Sequence, residues 1–314
     1  MAGHGGDGSP IIALIGPTAV GKTAVALQVA RSIDAEIISA DSMAVYRGMD
    51  IGTAKPADDE RRLSTFHLID VCDVDESFSV AAYREQALTA LSGIRARGKR
   101  AVLSGGTGLY VRVLLEGYSL TASAGDPVIR AELEDEALRN GVAALYERLT
   151  ELDPAAAGRI HRNDRIRIIR ALEVIRATGR RISEEHSRDA VSRKRLPSVK
   201  FGLTAAREIM YKRIDDRVDA MICAGLKEEV LRLLAHGYGP GLHPLRSLGY
   251  KEMIAHIQGE YSLDDAGRMI KQNTRRFAKR QMTWFRAEPD VEWIDVGERT
   301  AAEVAYDIER RMPS

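Results

Sequence analysis

Residues Gly16-Pro17-Thr18-Ala19-Val20-Gly21-Lys22-Thr23 follow the spacing G-x-x-x-x-G-K-[ST], the pattern of a glycine loop that wraps phosphate. The flanks fit that pattern. Ile11-Ile12-Ala13-Leu14-Ile15 reads as a buried strand, and Lys22 to Ile33 reads as a helix. Glycines let the backbone curl so that successive N–H groups converge on an anion, and the helix N-terminus adds partial positive charge. Lys22 supplies a full charge, and the Thr23 hydroxyl is a ligand for Mg²⁺. The stretch predicts that a diphosphate or triphosphate binds. It leaves open which one, and what happens to it.

Outward from this loop, strands alternate with helices. Further strands are predicted at 36–40, 66–70 and 101–104, with helices at 22–33, 79–97 and 107–116. This is the rhythm of a parallel sheet wound with helices, an α/β fold of the P-loop NTPase-like kind. From about residue 120 strand signals cease. Asp126-Pro127 opens a helical region in which Ile168, Leu172 and Ile175 share one helical face. Thr178-Gly179 closes a helix, and Ser187 to Lys194 reads as a polar loop. A strand returns at 199–205, followed by helices at 207–223, 225–236, 249–257, 263–286 and 299–312, and by a strand at 291–295. The expected organisation is a core over 10–120 and 198–314, split by a helical insertion at 121–197.

Composition narrows the function classes. Among 314 residues there are two cysteines, Cys72 and Cys223, too few for a disulfide framework or a thiolate metal site. No stretch is long and apolar enough to span a bilayer, the Gly-rich start from Met1 to Pro10 lacks a signal region and reads as a tail, and a cytoplasmic setting is expected. The seven histidines show no metal-ligand spacing, and His67 reads as a core or rim residue. The net charge of +1 excludes a wholly basic nucleic-acid binder, but the charge is uneven. Eight arginines fall between Arg159 and Arg181 against Asp164 and Glu173, while Lys271 to Arg286 holds six cations and no acid. Two such zones suit a local polyanion footprint or two solvated helix faces.

Several residues outside the loop carry chemistry. Asp41 ends the second strand, where functional side chains gather in a wound parallel sheet. It reads equally as a Mg²⁺ ligand, a general base or a helix N-cap. Gly105-Gly106-Thr107 leaves the strand at 101–104; Thr107 is placed to cap the next helix or to hold a polar group of a substrate. Gly48 to Pro56 is a glycine- and proline-punctuated loop placed to rim a site or simply to connect. Arg213 and Arg217 share a helix face suited to a diphosphate, although Asp215, Asp216 and Asp219 offer them surface ion pairs.

Together these stretches resemble the bacterial tRNA dimethylallyltransferases, also called tRNA isopentenyltransferases. The resemblance rests on Gly16–Thr23, Asp41-Ser42 with Val45-Tyr46-Arg47-Gly48, the loop Asp50 to Pro56 and Gly105-Gly106-Thr107. It continues through His161-Arg162-Asn163-Asp164, Arg170-Ala171-Leu172-Glu173, Gly249-Tyr250, Arg280-Gln281 and Thr283-Trp284. It implies transfer of a dimethylallyl group from dimethylallyl diphosphate to N6 of the adenosine 3′ of the anticodon in tRNA. Asp41 would be the general base and Thr107 a second polar anchor. Gly16, Pro17, Thr18, Ala19, Val20, Gly21, Lys22 and Thr23, with Mg²⁺ on Thr23 and with Arg217, would hold the diphosphate. The resemblance further implies RNA contacts from Asp41, Ser42, Met43, Ala44 and Thr107. It extends them to Arg130, to Ile166, Arg167, Ile168, Ile169 and Arg170, and to Arg246, Ser247, Leu248, Gly249, Tyr250 and Lys251 in the anticodon stem-loop complex of a monomer. Ala44 stands where many family members carry Gln, so that side-chain hydrogen bond is missing and the RNA contact there is expected to be weaker or made by backbone.

Rival readings are a small-molecule kinase that uses ATP in the same loop, a prenyltransferase on free adenine nucleotides, and an RNA-binding nucleotide switch. A kinase has no need of the basic insertion. The switch would consume no donor.

Overall fold

The computed structural model describes residues 8–117, 126–184 and 194–312. Most of the tail before Pro10 and most of the polar stretch read as a loop at 187–194 lie outside these residues. The described chain divides into two units, one of residues 1–115 and 196–314 and the other of Glu116–Arg195.

The first unit is built on six parallel strands in the order β3-β2-β4-β1-β5-β6. These are β1 (Ile11–Ile15), β2 (Ala35–Ser39), β3 (Phe66–His67), β4 (Arg100–Gly105), β5 (Ser198–Thr204) and β6 (Val291–Asp295). All of β1 and β2 is buried, as expected of strands covered on both faces by helices. The helices of this unit are α1 (Lys22–Ser32), α2 (Asp58–Leu63), α3 (Val80–Ala96), α4 (Gly108–Leu115), α8 (Arg207–Cys223), α9 (Leu226–Ala235), α10 (Tyr250–Ile257), α11 (Leu263–Arg286) and α12 (Ala301–Arg311).

The strand order matters for function. β2, β4 and β1 are neighbours, with Ser39 level with Ser104 and Ile15 level with Gly105. The three segments that leave these strands, at Gly16, Ala40 and Gly106, therefore emerge side by side at one sheet edge. β3 is shorter than the strand expected at 66–70. Leu68 and Asp70 adopt φ of 62° and 58°, which ends the extended run, and Asp70 is then held by Lys55 and Arg61. His67 sits on this strand and bonds Glu36 at 2.7 Å. That carboxylate is held at a pKa of about 2, chiefly by hydrogen bonding from Arg97.

Two apolar clusters among the described residues of the unit bear on the site. One joins β1, β5 and α1 through Leu14, Val25, Val29, Phe201 and Ile214 to Ile308 on α12. The other gathers Tyr46, Met49, Val230, Leu245, Tyr250 and Met253 beneath the loop at 48–56. The chain leaves the unit after α4 and returns at Leu196, whose N–H bonds the Leu115 carbonyl at 2.8 Å.

The second unit contains α5 (Pro127–Leu152), α6 (Pro154–Ala157) and α7 (Arg165–Thr178). Asp126 caps the first of these through Val128 and Ile129, with Pro127 at the first helical position. The run breaks at Gly141, whose φ of 81° is not helical. α7 ends on Gly179 in the left-handed region. The core of the unit is Leu133, Leu145, Leu149, Ile168, Ile169 and Leu172.

Candidate active site

The phosphate loop is held in a strained shape. Gly16, Ala19 and Gly21 have φ of 148°, 63° and 97°. Alternating backbone hand of this kind turns successive N–H groups to one side. A Cβ at Gly16 would lie 2.6 Å from the Leu203 carbonyl oxygen, so glycine is required there. Ala19 accepts the left-handed region despite its Cβ, which nothing in the sequence signals. α1 begins at Lys22 with no side-chain cap and no acid in its first turn. Its first amides therefore face the crevice without a side-chain acceptor, as an anion site requires.

Lys22 donates through Nζ to the carbonyls of Gly16 at 3.0 Å and Pro17 at 2.7 Å. Burial, reinforced by the Arg217 charge and partly opposed by Asp41, lowers its pKa to about 7. Arg217 reaches the same cavity from α8, and burial lowers its pKa as well. The alternative partners foreseen for Arg217 are taken: Asp215 pairs with Arg275, Asp216 with Lys212 and Asp219 with Lys271. Among the described residues Arg217 has no hydrogen bond or ion pair. Arg213, one turn earlier, is spent on the carbonyls of Val20 and Gly297.

Asp41 caps no helix. Its Oδ1 accepts from the N–H groups of Met43 at 2.9 Å and Ala44 at 3.4 Å, which fixes the carboxylate in a turn and leaves Oδ2 unbonded among the described residues. Thr107 does not cap α4 through its side chain. Its Oγ1 accepts from the Ser42 N–H at 3.0 Å and lies 3.3 Å from the Ser42 hydroxyl. The loops after β2 and β4 are thus tied together beside the carboxylate. Ala44 is buried; its N–H faces Asp41 and its carbonyl accepts from Asp70.

Two supporting residues had no role assigned from the sequence, although Gln281 belongs to the pair Arg280-Gln281 that carries the resemblance. Gln281 on α11 accepts from Thr18 N–H at 2.8 Å and donates to the Gly106 carbonyl at 2.9 Å. One carboxamide therefore joins the phosphate loop to the Gly-Gly-Thr loop. A Cβ at Gly106 would run into the Gln281 carboxamide and push it from this bond, so the clamp favours glycine. Glu229 on α9, buried, accepts from the amides of Asp50, Ile51 and Gly52 and from the Tyr250 hydroxyl at 2.6 Å. Lys55, 2% exposed, binds the Tyr46 carbonyl, Asp50 and Asp70. The loop at 50–56 is internally fixed rather than a loose connection.

A cavity of about 110 Å³ is lined by Lys22, Thr23, Asp41, Thr53, Lys55 and Arg217. Beside it a cleft of about 640 Å³ is lined by Asp41, Ser42, Met43, Thr107, Arg246, Ser247, Leu248 and Lys251. Thr18, Asp41, Thr53, Phe277 and Gln281 border both. Gly249 and Tyr250 do not join them: Tyr250 is fully buried against Glu229, and Gly249 N–H is bonded to Glu252 at 2.8 Å. Among the described residues no group of three or more His, Cys, Asp or Glu can hold a metal ion. Mg²⁺ would depend on Thr23 and on phosphate oxygens, a donor set that this cation accepts.

In the second unit, Arg130 and Arg170 both bond the buried Glu173 at 2.8 Å. Arg167 lies 3.5 Å from Asp164, and Ile166 is 80% exposed. Ile168 and Ile169 are core residues whose side chains are unavailable to RNA.

The family described as IPP transferase matches residues 44–288. A tRNA dimethylallyltransferase of Geobacter metallireducens is 49% identical over 285 residues, 91% of this chain and 92% of that protein. One of Desulforudis audaxviator is 50% identical over 289 residues, 92% of this chain and 93% of that one. The crystal structure of the tRNA isopentenylpyrophosphate transferase of Bacillus halodurans superposes with a TM-score of 0.70 at 39% identity, covering 97% of each chain. A eukaryotic dimethylallyltransferase caught acting on tRNA gives a TM-score of 0.80 at 25% identity, over 97% of this chain and 80% of that one.

Proposed function

The chain belongs to the IPP transferase family, the tRNA dimethylallyltransferases, and on that premise we propose that it moves a dimethylallyl group from dimethylallyl diphosphate to N6 of the adenosine 3′ of the anticodon. The observation that carries the reading is a pair of cations without anions. Lys22 and Arg217 share one small cavity, neither bonded to a carboxylate, and Asp41 stands on the border between that cavity and the basic cleft.

The diphosphate lies in the phosphate loop, against the first amides of α1, Lys22 and Arg217. Its charge grows as the C1–O bond breaks, and fixed dipoles and cations stabilise that growth most where water is scarce. Mg²⁺, when bound through Thr23, adds charge compensation at the phosphates. An adenine N6 amine is a weak nucleophile because its lone pair is delocalised into the ring, so placement and proton removal matter more than base strength. The N6 nitrogen forms the bond to C1, diphosphate departs with the electron pair, and the N6 proton passes to Asp41. Thr107 with Ser42 fixes the carboxylate's side of the cleft. The base must leave the anticodon-loop stack to reach it.

Arg246, Ser247, Leu248 and Lys251 border the cleft and would meet the RNA near the target. Arg130, Ile166, Arg167 and Arg170 would meet it on the second unit. Since Glu173 is shared between Arg130 and Arg170, that triad keeps a net positive charge. A monomer is the oligomeric state proposed, and among the described residues no helix is long and apolar enough to cross a membrane. A cytoplasmic enzyme is the reading consistent with its RNA substrate. The test is incubation with labelled dimethylallyl diphosphate, Mg²⁺ and unmodified tRNA. Label entering RNA is expected; label confined to a hydrolysed donor, or phosphate transfer from γ-labelled ATP to a small molecule, would overturn the reading.

A further inference from the structure

Phe277 is out of place by the ordinary logic of burial. It sits on α11, 37% exposed, and belongs to neither of the two apolar clusters described above. It is one turn from Gln281, on the same face of the helix, and that face also carries the clamp between the two loops. Among the described residues it is the one aromatic ring that borders both the anion cavity and the basic cleft. The Arg280 guanidinium lies 5.7 Å from its ring centroid, and Arg276 and Arg280 border the cleft beside it. An uncovered apolar ring among cations, next to a carboxylate, is poorly suited to water and well suited to a flat, electron-rich group with a phosphate backbone attached.

We propose that Phe277 is the stacking platform for the acceptor purine, holding its ring so that the exocyclic amine faces Asp41. The inference rests on the RNA-prenylation reading and gives it a specificity-determining contact. Every nucleobase presents a π-face, and stacking on an aromatic side chain contributes about 1–3 kcal/mol per base. The cations at the ring hold the flanking phosphates, while the ring discriminates the unstacked base from water.

The test is a double-mutant cycle with RNA stem-loops that carry either the target adenosine or an abasic site there. In the wild-type protein the adenosine RNA should bind about 5- to 100-fold tighter than the abasic one, the range that stacking supplies. In Phe277→Ala that ratio should collapse toward one, with donor affinity unchanged. Phe277→Trp should restore it, and Phe277→Leu, of similar bulk but without a π-face, should not. A purely structural role would weaken both RNAs equally in Phe277→Ala and leave the ratio intact, which overturns the proposal. So does a loss of turnover with the ratio unaltered, which would assign the ring to the prenyl group. A wild-type protein that transfers no label to RNA removes both readings; one that transfers label while the ratio ignores Phe277 removes this one alone.

Discussion

Lys22 makes donor binding a proton-coupled event. In the free protein, burial and the neighbouring Arg217 bring its pKa to about 7. A diphosphate placed against it returns the ammonium to a favourable field, so the bound pKa rises well above that value. At pH 8 only about a tenth of the free protein carries the Lys22 proton, so binding should take up about 0.9 proton per donor. The apparent dissociation constant should then weaken as pH rises, approaching tenfold per unit, and be about 50-fold larger at pH 9 than at pH 7. The donor's own phosphate ionisation, near pH 6 for such groups, is complete below this window. Calorimetric titration of dimethylallyl diphosphate in two buffers of different ionisation enthalpy reads the uptake directly. Lys22→Met should abolish both the uptake and the pH dependence. The same group has a stability signature of definite sign. The unfolded chain keeps the Lys22 proton up to about 10.5 and the folded chain releases it near 7, so the unfolded state holds more protons between these values. Stability contributed by this site therefore rises with pH across the window, and at pH 7 or below the buried charge is a cost. Lys22→Met should raise the melting temperature at pH 7 by at least about 2 °C, the shift that 1 kcal/mol gives in a chain of this size. Binding that is flat from pH 7 to 9, with no proton uptake, would show that Lys22 does not meet the diphosphate.

The remaining expectations concern neighbouring links. Asp41→Asn should lower single-turnover prenyl transfer by about 10²- to 10⁴-fold, the usual share of a general base, with donor and RNA affinities close to wild type; a near-normal rate would remove the carboxylate from proton transfer. Glu229→Gln turns an amide group toward backbone N–H donors and should destabilise by about 1–3 kcal/mol in thermal or denaturant melts while weakening donor affinity through the 50–56 loop; an unshifted melt would mean that the buried carboxylate holds nothing. Arg167→Ala should leave stability unchanged and reduce the slope of log affinity for RNA against log salt by about 0.7–0.9, whereas Arg170→Ala should also lower stability by removing one of two partners of buried Glu173. Equal melts for the two variants would argue against that distinction.

The features legible in the sequence are those set by short segments. A five-residue apolar run predicted β1, the β-branched pair Ile37-Ile38 marked β2, and the loop motif with its flanks located the anion cavity, because these depend on local residue type and backbone permissiveness. The residues that complete the site come from elsewhere in the chain. Gln281 lies 263 positions from Thr18, and Glu229 lies 178 from Ile51. Neither has a local pattern to mark it; only a carboxamide on a buried helix face and an acid among apolar neighbours stood out as polar groups in need of partners. Side-chain direction was equally hidden. Ile169 and Tyr250 fall in segments rich in basic and glycine residues, yet their packing turns them inward, whereas the inward face of Ile168 follows from its spacing to Leu172 and Ile175. Positive φ at Ala19, Leu68 and Asp70 escaped notice for the same reason, since tertiary contacts rather than residue type hold those conformations.

The strand order explains why a phosphate loop suits this chemistry. With β4 between β1 and β2, the anion-binding loop and the Asp41 turn are separated by one strand, and that strand delivers Gly106 and Thr107 between them. Each neighbour is bonded to this central segment: Gln281 ties Thr18 to Gly106, and Thr107 holds Ser42. On the proposed reading, the leaving group and the proton acceptor stand on opposite sides of one fixed loop, and the reacting carbon and nitrogen meet across it. A kinase on the same sheet must bring an acceptor to the terminal phosphate. Here the phosphates stay anchored and the hydrocarbon end departs, so the decisive rigidity is between the loops rather than within any one of them.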